Sequence, residues 1–104
     1  MKTLEKKFED EVWEKMVRAK RECGYNAARF HQMLGRWGGV ETARRLIANA
    51  QATGNTSDGF TTLYLCGRLD LTVEDSVCKE EYAPLFTPQE IAYCKEVLGR
   101  TGGA

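Results

Sequence analysis

The sequence contains one histidine, no Cys-x-x-Cys pair, no net charge and no long apolar run. Nothing approaches the roughly 18 consecutive apolar residues of a membrane-spanning helix, so no transmembrane segment is expected. Residues 1–10 mix Lys with Glu and Asp and lack an apolar core, so no secretory signal is expected and a cytoplasmic location follows. Fifteen basic residues balance fifteen acidic ones, which excludes a polybasic nucleic-acid coat and an acidic tail. His31 is the sole histidine and the cysteines are widely spaced, so no metal-ligand pattern exists. Gly38-Gly39 is not followed by Lys-Ser/Thr, and no strand pattern precedes it, so there is no phosphate-cradling loop. No metal or other cofactor is expected.

The 104 residues that remain to be explained suit one domain. A chain of this size buries roughly 60–68% of its unfolded surface, enough for one core but not for a cleft between two lobes. A hydrophobic share of 42% with 29% charged residues fits an ordered, helix-rich domain. Cys23, Cys66, Cys78 and Cys94 form an even set, but without a secretory signal they are expected to be free thiols serving as small core residues.

Apolar spacing predicts an all-α bundle of five or six helices. Leu4, Phe8, Val12, Met16 and Cys23 recur at helical spacing, widened by Trp13, Val17 and Ala19, which gives a long first helix over residues 3–23. Gly24 is placed as its left-handed stop. Asn26 is positioned to cap a second helix carrying Ala27, Phe30, Leu34 and Trp37, and Gly38-Gly39 breaks the chain. A third helix carries Val40, Ala43, Leu46, Ile47 and Ala50, followed by a polar surface loop over residues 51–59. Ser57 or Asp58 caps a short helix with Phe60, Leu63 and Tyr64, and another helix starts at Thr72. The run Thr87-Pro88-Gln89-Glu90 is the clearest local signal: a capping box with proline at the first helical position. Residues 1–99 are read as one helical domain and residues 100–104 as a flexible tail.

Several phrases together resemble a widespread family of small bacterial proteins without an assigned activity. They are Gly24-Tyr25-Asn26-Ala27 with Arg29-Phe30 and Gln32-Met33, then Gly38-Gly39 with Glu41-Thr42-Ala43. Ser57-Asp58-Gly59-Phe60-Thr61, the run from Gly67 to Glu74, and Leu85-Phe86-Thr87 complete the set. The resemblance covers most of the chain and implies a compact helical unit, with no catalytic residue to carry over. Cys66, Cys78 and Cys94 depart from the pattern, standing where aliphatic or other residues are expected, which favours packing for the cysteines.

Three candidate surfaces follow. Residues 26–51 read as helix, Gly-Gly turn, helix, so Arg29, Arg36, Arg44 and Arg45 form a candidate anion or nucleic-acid face. Amides after Gly39, at a helix N-terminus, could alternatively hold an anion. Asp58, Arg68 and Asp70 form a candidate structural ion-pair network, because charges inside a small core must pair. Trp37 and Tyr82 are candidate interface aromatics. No nucleophile, base and orienting acid stand in a catalytic spacing, so no enzymatic activity is expected. The function expected is a small interaction or accessory domain binding a protein partner or a second copy of itself, with a helix-turn-helix-like nucleic-acid binder as the alternative.

Overall fold

The computed structural model describes residues 2–102, and these form an all-α bundle of five α-helices and two 3-10 helices. Helix α1 spans Leu4–Cys23. Thr3 Oγ1 accepts from the Lys6 amide at 3.1 Å, and Gly24 (φ 68°) ends the helix, its amide donating to the Lys20 carbonyl and the Tyr25 amide to that of Ala19. Its inward stripe is Phe8, Val12, Lys15 and Ala19. Val17, expected to widen that stripe, is 55% exposed, while Lys15 is 7% exposed. The face is rotated because α1 meets polar partners for the Lys15 ammonium on a distant segment, described below.

The span labelled α2 (Ala28–Thr53) holds the two expected middle helices, which meet at a kink where Gly38 leaves the helical backbone conformation. Gly38 sits at φ 79° and ψ 175°, a region open essentially to glycine alone. Gly39 lies directly against α1, where an added Cβ would stand 2.7 Å from Glu9 Cα. The break is therefore a kink at a close helix crossing rather than an open turn. The α2 N-cap is Ala27, without a side-chain bond, so Asn26 does not cap it. α2 also extends three residues past Ala50 before Gly54 (φ 76°) stops it, which shortens the expected loop.

Helix α3 (Asp58–Leu65) is capped by Ser57, whose Oγ accepts from the Phe60 amide. A 3-10 turn over Leu69–Leu71 leads into α4 (Val73–Val77), capped by Thr72. A second 3-10 helix, Glu80–Leu85, precedes α5 (Pro88–Gly102). The capping box forms as expected: the Glu90 amide donates to Thr87 Oγ1 at 3.1 Å and the Thr87 amide to Glu90 Oε1 at 2.9 Å. α5 continues beyond Gly99, so part of the expected tail is helical, while residues 103 and 104 lie outside the described residues.

The main core gathers Phe8, Val12, Ala43, Ile47, Val77 and Tyr82 with Phe86 and Cys94. Phe8 meets Tyr82 and Phe86 edge-on, with centroids 5.1 and 5.2 Å apart. A smaller cluster of Ala19, Leu63 and Leu71 joins the end of α1 to α3 and the first 3-10 turn. The radius of gyration, 12.7 Å, matches a single domain of this length. Among the described residues no helix is long and apolar enough to cross a membrane.

Candidate functional site

A groove of about 360 Å³ opens between the second half of α1, both halves of α2, α3 and the start of α4. Helical spacing puts Val12, Met16 and Ala19 of α1 on its wall, opposite Phe30, Met33 and Leu46 of α2. Asn55, Thr56 and Ser57, which link α2 to α3, form a polar lip. A shallower depression adjoins it across Met16 and Ala27 and is edged by Lys20, Arg21 and His31.

Two charged groups line the deep groove and are buried. The Lys15 Nζ donates to the Thr72 carbonyl at 3.1 Å and to Asp75 Oδ2 at 2.9 Å. Glu74 in the first turn of α4 is 5% exposed, and burial pushes its carboxyl up to about 6, against a smaller opposing pull from its own amide and from Lys15. Sequence reading missed both.

A second unexpected centre lies behind the groove. Glu11 receives Ser76 Oγ at 2.6 Å on Oε2 and Tyr82 Oη at 3.0 Å on Oε1, and Lys79 Nζ lies 3.0 Å from Oε2. Burial raises the Glu11 carboxyl, but the bonds from Ser76, Lys79 and Tyr82 outweigh it, leaving the group below its ordinary value. This carboxylate ties α1 to α4 and the second 3-10 helix.

The predicted site residues separate. Arg44 pairs with Glu90 at 3.0 Å, and Arg45 pairs with Glu41 at 2.9 Å while stacking 4.0 Å over the Trp37 ring. Arg36 lies 5.2 Å from the same ring, and Arg29 edges the groove. The four arginines are thus divided among different contacts, two of them to carboxylates. The proposed anion site after Gly39 is filled from within: Glu9 Oε1 accepts from the Gly39 amide at 2.9 Å.

Of the predicted ion-pair network, Arg68 binds Asp70 through two parallel bonds of 3.0 Å. Its other arm reaches Glu22, not Asp58; Arg68, then Arg18, holds the Glu22 carboxyl down at about 2. Asp58 opens α3 at the groove instead. Tyr82 is 1% exposed, so it is a core residue rather than an interface aromatic, held there by Phe8 and by Glu11. Among the described residues the exposed large apolar side chains are Val17, Tyr64 and Leu65.

The cysteines also divide. Cys23 and Cys66 are joined as a disulfide across a Cα separation of 6.3 Å, which overturns the expectation of four free thiols. The helix ends that carry them converge beside the Ala19, Leu63 and Leu71 cluster, a proximity that wide sequence spacing conceals. Cys94 is buried and Cys78 half-buried, and burial pushes both thiols up, away from reactive thiolate. Among the described residues no group of three His, Cys, Asp or Glu side chains could hold a metal. No protein-family model, curated protein or solved structure matches the chain.

Proposed function

We propose that this chain is a non-catalytic binding module that docks a segment of a protein partner in the groove between α1, α2 and α3. The observation that carries this reading is the groove itself: apolar walls from three helices, a polar lip, and a volume near the lower end of the roughly 300–1,000 Å³ of ligand pockets. The non-catalytic part rests on chemistry. His31 meets the Trp13 ring edge-on, with centroids 5.1 Å apart, and the free thiols are disfavoured as thiolates by burial. The nucleic-acid alternative has weaker support, since Arg44 and Arg45 are engaged by carboxylates and Glu9 occupies the helix start after Gly39.

Selection of random peptides displayed on phage tests the reading. Peptides are expected to bind the full chain and to lose binding to Met33→Trp, which fills the groove from α2. Absence of any peptide sensitive to that substitution rejects it. Light scattering on the same preparation distinguishes a monomer from a copy docked on itself. A mobility-shift titration near 50 mM salt serves the nucleic-acid alternative, whose affinity must fall steeply as salt rises.

A further inference from the structure

Glu74 is nine-tenths buried on the wall of the groove, and its carboxylate is served only by its own backbone amide. Among the described residues no side chain hydrogen-bonds or ion-pairs with it. Lys15 acts on it through space, but the Lys15 ammonium is already held by the Thr72 carbonyl and Asp75. A buried carboxylate is costly unless it is paired and hydrogen-bonded. The same groove is lined by apolar Met16, Phe30, Met33 and Leu46, with Lys15, Asn49, Asp58 and Thr72 among its polar residues.

We infer that the groove recognises a lysine side chain of the partner, its ammonium paired with Glu74 and its methylene stem lying along the α1 and α2 walls. This rests on the proposed docking function and names the chemistry of the docked segment. A lysine fits because its charge is a point donor at the end of an apolar stem, which is the complement of a buried carboxylate in a groove that also carries apolar side chains. The other charged groups at the groove do not supply the missing cation. Lys15 is engaged, and Arg29 and Asp58 line the groove without a bond to the Glu74 carboxylate. A partner lysine would bring the hydrogen-bonded counter-ion that the fold leaves out.

The test uses peptides recovered by the selection above, each resynthesised with its basic residues replaced in turn by norleucine, which keeps the stem and removes the charge. Fluorescence anisotropy measures them against the wild-type chain and Glu74→Gln. One lysine is expected to contribute about tenfold or more in affinity on wild type, with that preference lost on Glu74→Gln. Equal binding of lysine and norleucine forms to wild type overturns the inference while leaving the docking reading in place. A selection with no groove-dependent peptide removes both. n-Butylammonium is titrated in parallel as the bare side-chain mimic; if it binds as tightly as the peptide, the site is one for free amines and the peptide proposal fails. Circular dichroism confirms that Glu74→Gln folds, and if it does not, the lysine-to-norleucine comparison on wild type decides alone.

Discussion

Glu9 on α1 accepts a hydrogen bond from the Gly39 amide on α2, so a carboxylate of one helix caps the second half of another. The bond is possible because Gly39 has no side chain: an added Cβ would stand 2.7 Å from Glu9 Cα and 3.0 Å from Glu9 Cβ. Cap and close approach are one feature. Gly39→Ala is expected to cost about 3 kcal/mol, since backbone rather than a flexible side-chain end must move. Glu9→Ala, which removes the cap and an exposed pair with Lys6 that contributes little, should cost about 1 kcal/mol. Urea unfolding followed by circular dichroism orders the two, and an equal or reversed order contradicts this account.

The pH response of Glu74 has a defined sign. Its folded-state value, about 6, lies above its ordinary 4.5, so the native state holds the proton more tightly than the unfolded one. Its contribution is fully present below about pH 4.5 and is lost as pH rises through about 6, leaving a penalty of roughly 2 kcal/mol at neutral pH. The groups coupled to it are Lys15 from α1 and the thiols of Cys78 and Cys94. Glu74→Gln should therefore be more stable than wild type by about 1 kcal/mol at pH 7.5, with the advantage shrinking toward pH 4.5. Paired urea titrations at the two pH values check it; a difference that does not change with pH speaks against the buried, strained carboxylate.

Glu11 behaves in the opposite sense. Its carboxyl is held below its ordinary value, so the stability it brings is present above that value and is lost as pH falls through the lowered one. Tyr82→Phe and Ser76→Ala each remove one donor to it and should each cost about 1.5–3 kcal/mol at neutral pH. The loss should fade in acid, as protonation of Glu11 weakens the bonds in wild type too. Melting curves at neutral and acidic pH measure this convergence.

The Cys23–Cys66 link closes a loop across 43 residues that contains all of α2. A cross-link of that span typically contributes about 2–4 kcal/mol, chiefly by restricting the unfolded chain. Cys66→Ser should lower stability by that amount in oxidising buffer and make no difference once wild type is treated with dithiothreitol. A wild-type protein insensitive to reduction rules the link out as a stabiliser.

Thr42 is fully buried, and its Oγ1 has no hydrogen-bond partner among the described residues. An unpaired hydroxyl in an apolar setting costs about 1–3 kcal/mol. Thr42→Val keeps the shape and removes that cost, so the variant should melt no lower than wild type. A clear drop in its melting curve would reveal a partner for the hydroxyl.

The elements that could be read without the fold are those whose hydrogen bonds close within a few residues. Thr3, Ser57, Thr72 and Thr87 each cap the helix that follows by accepting from an amide three residues on. Gly24 stops α1 with its amide on the carbonyl four residues back. Where reading failed, the partner lay far along the chain. Val17 and Lys15 both fit a widened apolar stripe by position, and only the Thr72 carbonyl and Asp75, 57 and 60 residues away, decide that the lysine goes in. Tyr82 passed for a surface aromatic because its hydroxyl partner, Glu11, is 71 residues distant. Asp58 was grouped with Arg68 for the same reason, since nothing local reveals that Glu22 is the nearer acid.

The sequence by itself determined an all-α chain, the caps at Ser57, Thr72 and Thr87, the stop at Gly24, and the absence of net charge. These follow from backbone bonding and side-chain periodicity, which act over one or two turns. Only the tertiary structure decided which helix faces turn inward, which of the thirty charges are paired or buried, and that Glu74 borders an open groove without a counter-ion. Desolvation and pairing depend on what packs across the chain, and for one carboxylate that packing gives burial beside a groove without a hydrogen-bonded counter-ion.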